Sequence, residues 1–256
     1  MKLFFREAGQ GQPIIILHGL FGSSDNWYSL SKIFAKSFRV FTIDQRNHGQ
    51  SPHDPSHTYK DLTEDLEEFV DEHQLVKPII LGHSMGGKVA MNFAVKDPDK
   101  TGKLIVVDIM PKWYPLHHQH ILAGMRSLDL TKLHSRSDAD NIIAQYIPKV
   151  EERQFIMKNL ARNEQQGFEW KLNLDALESN IDAMAEGMQY EGQYTGPTLM
   201  IKGARSEFYH ADGDDKLVAK YFPNTTWVTL DTGHWVQAEK PKEFEKVVLE
   251  WLTSDV

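Results

Sequence analysis

One serine of this chain stands between glycines in a pattern typical of an activated nucleophile. Residues 82–86 read Gly-His-Ser-Met-Gly and match G-x-S-x-G, in which the serine occupies a sharp strand-to-helix turn that larger flanking side chains would obstruct. A short aliphatic run precedes this pattern at 79–81, and a helical pattern follows over 85–96. The spacing therefore predicts that Ser84 is the nucleophile of an acyl-transfer reaction rather than an ordinary surface serine.

A serine hydroxyl needs a general base to remove its proton, and histidine serves most often. Twelve histidines are present, but only His234 directly follows a late predicted strand, at 226–230. A loop leaving that strand would bring His234 to the same edge of the sheet as Ser84. His83 adjoins the nucleophile but must point away from the turn, so we predict that His234 is the base.

Acyl transfer also needs backbone N–H groups that stabilise the oxyanion of the intermediate. One should come from Met85, the residue after the nucleophile. The other should come from the loop after the predicted strand 14–17, which reads His-Gly-Leu-Phe-Gly at 18–22. We predict Leu20 as this second donor, with Phe21 as the alternative.

The third member of a triad is an acid, and it is expected between the nucleophile and the histidine in chain order. The usual place is the loop after the predicted strand 198–201, which carries Ser206 and Glu207. Either Glu207 is the acid, or the acid follows another strand. Asp108, which ends the strand 104–107, is the candidate for the second case. We favour Asp108 as the residue that orients the histidine, with Ser206 adding a hydrogen bond nearby.

The elements that must position these residues follow an alternating pattern. Short runs that are apolar on both faces are typical of buried parallel strands. Such runs predict strands at 14–17, 40–43, 79–81, 104–109, 198–201 and 226–230. Apolar residues repeating at helical spacing predict helices at 59–70, 84–96 and 241–252. The fold class is therefore α/β, with a mostly parallel central sheet and helices on both faces.

The alternation stops between 111 and 193, where the pattern is almost wholly helical and contains no convincing strand. The candidate helices lie at 139–146, 151–165 and 174–188. A helical insertion in an open sheet is best placed over the carboxyl ends of the strands, where such sheets bind ligands. We predict a core domain of residues 1–110 and 194–256, covered by a helical cap of residues 111–193.

Aromatic side chains are the candidates for an apolar acyl pocket. We predict that the substrate contacts Phe21, Trp113 and Trp235. Further candidates are Tyr114, Trp170 and Phe208.

Three histidines cluster in the predicted cap, at His117, His118 and His120. They lack the ligand spacing and the additional ligand of a catalytic zinc site. We expect neither a metal nor another cofactor.

Composition narrows the class of protein. The 256 residues carry 28 basic and 36 acidic side chains, a net charge of −8, and no cysteine. An acidic surface disfavours nucleic acid as a partner, and no apolar run is long enough for a signal peptide or a membrane helix. We expect a cytoplasmic monomer or small homo-oligomer that acts on a small-molecule ester, with no membrane partner.

Taken together, the motifs resemble one family. They are His18-Gly19-Leu20-Phe21-Gly22-Ser23, Asp44-x-Arg46-Asn47-His48-Gly49-x-Ser51, Gly82-His83-Ser84-Met85-Gly86-Gly87-Lys88, Val107-Asp108-Ile109-x-Pro111 and Gly233-His234-Trp235-Val236-x-Ala238-Glu239-Lys240-Pro241. This combination resembles the bacterial YbfF-like esterases of the α/β-hydrolase superfamily. The resemblance implies the α/β-hydrolase fold with a helical cap after the sixth strand. It also implies hydrolysis of carboxylic esters or thioesters of small to medium acyl groups, with an Asp after the sixth strand and a Ser at the usual acid site.

The expected reaction is a two-step acyl transfer through an acyl-enzyme. Two other activities reuse the same residues, those of a cofactor-free perhydrolase or haloperoxidase and of a carbon–carbon bond hydrolase. A slow-turnover hydrolase that binds a ligand for signalling is a further alternative, because fold alone does not fix function. Ser84 argues against the members of this fold that use an aspartate nucleophile.

Overall fold

A twisted sheet of parallel strands organises the chain, of which the computed structural model describes residues 1–115 and 118–254. In chain order the strands are β1 (Phe5–Ala8), β2 (Pro13–Leu17), β3 (Arg39–Ile43), β4 (Ile79–His83), β5 (Lys103–Val107), β6 (Leu160–Arg162), β7 (Phe168–Trp170), β8 (Thr198–Gly203) and β9 (Thr225–Leu230). Seven of them form the central sheet, in the order β1-β3-β2-β4-β5-β8-β9. Only β1 runs antiparallel to its neighbour. The predicted α/β architecture is confirmed.

Helices cover both faces of this sheet. They are α1 (Tyr28–Phe34), α2 (Tyr59–Glu72), α3 (Met85–Lys96), α4 (Gln119–Arg126), α5 (Arg136–Ile143), α6 (Val150–Met157), α7 (Leu174–Ser179), α8 (Ala211–Tyr221), α9 (Val236–Glu239) and α10 (Pro241–Thr253), with short 3₁₀ helices at Ser24–Trp27 and Ile181–Ala185. Alternate residues of β2 point to opposite faces. Ile15 and Leu17 pack with apolar residues of α2 and α3, whereas Ile14 and Ile16 pack with those of α1 and α10.

The predicted core strands lie within a residue or two of their observed bounds. The strand predicted at 104–109 ends instead at Val107, because Asp108 adopts a left-handed backbone with φ 53°. The edge strand β1 was not predicted. Its sequence, Phe-Arg-Glu-Ala, carries two charged residues and is largely exposed, as is common for sheet edges.

The segment 111–193 contains strands as well as helices, so the prediction that it is almost wholly helical was wrong. The helix predicted at 151–165 ends at Met157, and β6 and β7 then form an antiparallel hairpin. Asn163 and Gly167 close its turn, where the N–H of Gly167 donates to the side chain of Asn163 at 2.8 Å. Asn and Gly favour turns over helix.

The helix predicted at 174–188 is also divided. Asn180 donates its side-chain amide to the carbonyl of Ala176 at 2.8 Å and to that of Pro55 at 2.8 Å. Such local side-chain bonds compete with helix continuation. A 3₁₀ turn therefore follows α7.

The inserted segment follows β5, the fifth strand in chain order, whereas the resemblance counted this strand as the sixth. Its two ends join neighbouring strands of the sheet, because β5 pairs with β8. None of the helices within residues 1–115 and 118–254 is long and apolar enough to cross a membrane.

Candidate active site

Ser84 sits on a strained turn between β4 and α3. Its backbone has φ 52° and ψ −119°, a conformation that is unfavourable for a residue with a side chain. The turn is possible only because glycines surround it: a Cβ on Gly82 would lie 2.1 Å from the carbonyl oxygen of Gly86, and one on Gly86 would lie 2.5 Å from that of Leu17. The close packing projects the Ser84 hydroxyl from the carboxyl edge of the sheet, where its residue is half-buried.

His234 lies in the loop after β9, beside the nucleophile turn. Its Nδ1 is 2.8 Å from Oδ2 of Asp108, its ring stacks on Phe208 at 4.2 Å, and its carbonyl oxygen accepts from Nε2 of His83 at 2.9 Å. Asp108 and Phe208 thus hold the imidazole, and His83 holds the backbone of the same residue. Within the described part of the chain, no hydrogen bond joins the imidazole to the hydroxyl of Ser84. Such contacts are often loose before substrate binds.

The carboxylate of Asp108 is fully buried and is held by donors on both oxygens. Oδ1 accepts from the N–H of Gly203 at 2.8 Å, and Oδ2 accepts from the hydroxyl of Ser206 as well as facing His234. Glu207, the alternative acid, is exposed and makes no hydrogen bond to any described residue. The structure therefore brings Asp108 and Ser206 together with the histidine, and it leaves Glu207 outside.

The loop after β2 lies against the nucleophile turn. A Cβ on Gly19 would be 3.2 Å from Cβ of Ser84, so glycine eases this close approach of the backbone. The N–H of Phe21 already donates to Nε2 of His48 at 3.2 Å, whereas that of Leu20 finds no acceptor among the described residues. Met85 begins α3, and the first N–H groups of a helix lack partners within the helix. Leu20 and Met85 therefore offer two free donors beside Ser84.

A cavity opens beside Ser84. Its walls include side chains of Leu20, Tyr59, Tyr114, Met184 and Phe208. Tyr114 and Phe208 are among the predicted candidates, whereas Tyr59 and Met184 are not.

The three residues predicted to contact the substrate lie outside the lining of this cavity. Trp113, in the connection after β5, is 64% exposed. Trp235 packs against Phe155 with ring centroids 5.7 Å apart. Phe21 is buried in the core cluster instead.

Lys88, one turn into α3, also lines the cavity although it is only 2% exposed. Its ammonium donates to the carbonyl of Ala185 at 3.2 Å and to that of Glu186, and it lies about 5 Å from the ring centroids of Tyr59 and Tyr114. Burial lowers the pKa of Lys88 to about 7. The ammonium thus joins the end of the inserted segment to the helix that begins directly after Ser84.

Two functional neighbours escaped sequence reasoning although a signal existed. Lys88 follows Ser84 by one helical turn, and residues at that spacing share a helix face. His83, predicted only to point away from the turn, supports the backbone of His234. The Tyr114 hydroxyl accepts from the N–H of Met110 at 3.0 Å and donates to the carbonyl of Phe208 at 2.6 Å.

The histidine cluster is only partly described, since His117 lies outside the described residues. His118 lines the cavity, and Nε2 of His120 is 3.7 Å from a carboxylate oxygen of Glu152. Within the described ranges no group of three or more His, Asp or Glu side chains is arranged to hold a metal ion.

Comparison with known proteins supports the architecture. Residues 12–130 match a family model described as alpha/beta hydrolase fold. The chain is 36% identical to the mouse protein named sn-1-specific diacylglycerol lipase ABHD11, across 93% of this chain and 80% of that protein. It is 31% identical to Esterase YbfF of Escherichia coli K12, across 98% of this chain and 99% of that protein.

A solved structure described as a marine microorganism esterase is similar throughout. It is 40% identical in sequence and matches with a TM-score of 0.94, across 97% of this chain and 98% of that chain. The similarity extends over the inserted segment as well as the sheet.

Proposed function

The chain belongs to the α/β-hydrolase fold family and is an esterase or lipase of that family, and from this premise we propose that Ser84, His234 and Asp108 are its catalytic triad. The observation that carries the proposal is the 2.8 Å contact between the His234 imidazole and the buried Asp108 carboxylate. A carboxylate at Nδ1 fixes the tautomer in which Nε2 is free to accept a proton. The strained turn that carries Ser84 lies next to His234, because His83 of that turn bonds to the His234 carbonyl.

The proposed reaction has two steps. Nε2 of His234 takes the proton of Ser84 while Oγ attacks the ester carbonyl, and the N–H groups of Leu20 and Met85 stabilise the resulting oxyanion. The imidazolium returns the proton to the leaving alcohol or thiol as the carbon–oxygen or carbon–sulfur bond breaks. Water, deprotonated by the same imidazole, then releases the acyl group and regenerates the serine. Asp108 stabilises the charged histidine throughout.

The proposed substrates are carboxylic esters or thioesters of small to medium acyl groups. The aromatic and aliphatic residues that line the cavity support an apolar acyl chain. One relative is named an esterase and another a diacylglycerol lipase, and the two names differ in the substrate they state. Acyl length is therefore the property to measure. A series of p-nitrophenyl esters should give its highest kcat/KM at short or medium length, and negligible rates at every length would favour a ligand-binding role instead.

We assign the segment 111–193 as a cap over this site and residues 1–110 and 194–256 as the core. Met184 and Ala185 of the segment line the cavity, and Lys88 of the core holds two of its carbonyls. The cap would therefore set acyl length, while the core supplies the reacting groups.

Replacing Ser84 with alanine tests the proposal directly. Loss of a catalytic serine should lower kcat by at least about 10⁴-fold and abolish covalent labelling by a fluorophosphonate, located by mass spectrometry of the labelled peptide. Ser179→Ala, which removes an exposed serine, is the matched control and should keep both. Turnover and labelling that persist in Ser84→Ala would refute the assignment.

A further inference from the structure

Phe21, next to the proposed oxyanion donor Leu20, is held in an unusual backbone conformation. Its φ is 61°, in the left-handed region that side-chain-bearing residues adopt only when their surroundings impose it. Its backbone is bonded on both sides. The N–H donates to Nε2 of His48 at 3.2 Å, and the carbonyl oxygen accepts from Nδ2 of Asn159 at 2.8 Å.

His48 is suited to accept this hydrogen bond. Its side chain is fully buried, and Nδ1 lies 2.9 Å from the carbonyl oxygen of Arg46, to which it must donate. Nε2 is therefore the acceptor of the neutral ring. Burial lowers the pKa of His48 to about 3, so the ring stays neutral, and Nε2 an acceptor, at physiological pH.

Asn159 reaches the same loop from the inserted segment. It lies between α6 and β6, is 3% exposed, and its backbone carbonyl accepts from the N–H of Lys171 at 2.8 Å. Its side-chain amide also donates to the carbonyl of Ile156 at 3.2 Å. The hairpin of the inserted segment thus fixes this amide, and the amide fixes Phe21.

The two contacts act on the direction of the Leu20 N–H. A trans peptide is planar, so its N–H and C=O point in opposite directions. The peptide before Leu20 is anchored through the Gly19 carbonyl, which accepts from the N–H of Gly22 at 2.9 Å, and Asn159 holds the peptide that carries this Gly22 N–H by bonding to its Phe21 carbonyl. The peptide after Leu20 is anchored through the Phe21 N–H, which donates to His48. With both planes fixed, the Leu20 N–H keeps one direction.

We propose that His48 and Asn159 are positioning residues that hold Phe21 from opposite sides and so keep the Leu20 N–H aimed at the oxyanion. The inserted segment then contributes to the rate of the chemical step as well as covering the substrate. This inference rests on the proposed serine-hydrolase function.

Paired variants test it. His48→Leu removes the acceptor, whereas His48→Gln keeps an oxygen near the position of Nε2. Asn159→Leu removes the other contact. Asn180→Leu is its control, because Asn180 also bonds the inserted segment to a core carbonyl, that of Pro55, but does not contact Phe21.

Loss of an oxyanion donor lowers kcat by about 10²–10³-fold, so a misdirected donor should cost about 10- to 100-fold. We expect this loss in His48→Leu and Asn159→Leu, with KM of a p-nitrophenyl ester within about twofold of wild type. The affinity for a trifluoromethyl ketone, which forms an oxyanion with the serine, should fall by the same factor as kcat/KM. His48→Gln and Asn180→Leu should resemble wild type.

The inference would be overturned if the folded variants His48→Leu and Asn159→Leu kept native kcat. It would also be overturned if their kcat fell while their affinity for the ketone stayed undiminished. If His48→Leu does not fold, Asn159→Leu against Asn180→Leu decides alone. Failure of the underlying function looks different, since Ser84→Ala would then keep its turnover. An inactive Ser84→Ala beside fully active His48 and Asn159 variants rejects only the positioning role.

Discussion

Replacing Asp108 with asparagine should reverse the tautomer of His234. The N–H of Gly203 lies 2.8 Å from Oδ1 of Asp108 and can only donate, so the oxygen of an introduced amide must face it. The amide NH₂ group then takes the place of Oδ2 and faces Nδ1 of His234, which lies 2.8 Å from Oδ2 in the wild-type protein. Because an NH₂ group only donates, Nδ1 must accept and the ring proton moves to Nε2. An Nε2 that carries a proton cannot take one from Ser84.

The size of the effect follows from this geometry. In a Ser-His-Asp enzyme the same replacement lowers kcat about 10⁴-fold through the wrong tautomer, or about 5.4 kcal/mol at about 1.36 kcal/mol for each factor of ten. Asp108 is 0% exposed, which leaves no room for solvent to replace the lost acceptor. The hydroxyl of Ser206 can rotate to accept from the amide, so the fold should survive and Tm should change by only a few degrees.

Steady-state turnover of p-nitrophenyl butyrate measures the loss, with thermal unfolding as the check on folding. Glu207→Gln is the matched control, and it should stay within about twofold of wild type because Glu207 is exposed. Near-native turnover in Asp108→Asn together with a loss of several orders in Glu207→Gln would refute the reasoning.

A second substitution should restore part of the activity. Ser206 contacts Asp108 and stands in the loop after β8, the place where an acid was first expected. In the Asp108→Asn background, Ser206→Asp supplies a carboxylate within the same cluster. Recovery of at least tenfold in kcat would support an acid that acts only by orienting the imidazole, and no recovery would count against it.

Three further predictions concern the surroundings of the site. In the folded protein Lys88 loses its proton near pH 7, whereas the unfolded chain keeps it to about pH 10.4. The unfolded state therefore binds more protons between these two pH values. The free energy of unfolding should accordingly rise with pH in wild type relative to Lys88→Met. A difference in urea midpoints that stays constant from pH 7 to 10 would contradict this. Gly82→Ala should destabilise the fold by about 3 kcal/mol or more, because its Cβ would lie 2.1 Å from the Gly86 carbonyl oxygen; an unchanged thermal midpoint would show that the turn can relax. Phe208→Leu should lower kcat about tenfold by removing the ring that stacks on the His234 imidazole, while Trp113→Leu, at a 64% exposed position, should leave kcat unchanged.

The parallel strands of the sheet were predictable because a strand buried on both faces must be apolar throughout. Runs such as Ile14–Leu17 have no other common interpretation when helices alternate with them. The hairpin of β6 and β7 gave no comparable signal. Its strands have three residues each, too few for a period of two to be distinguished from a helical stripe.

The candidate site was predictable wherever a backbone rule applied. The turn at Ser84 needs glycines, and the loops after parallel strands meet at one edge, so the sequence predicts Ser84 and His234 as candidates. The same rules left Asp108 and Glu207 both open as the acid, although they favoured Asp108. The contacts of Lys88 and Asn159 could not be predicted, because each side chain bonds to a backbone carbonyl far away in the chain. Such a partner leaves no mark on composition or periodicity.

The pairing of β5 with β8 has a consequence for exchanging the segment between them. Loop-closure entropy rises slowly with length, by about 0.6 kcal/mol for each doubling, so the length of a foreign segment grafted between 110 and 194 should matter little to the closure of the sheet. Its contacts should matter more. A graft without an amide at the Phe21 carbonyl would leave that carbonyl unpaired, and one without acceptors for Lys88 would leave a buried amine unpaired. Such a graft should lose stability as well as rate, so new substrate ranges must be selected by turnover and by thermal unfolding together.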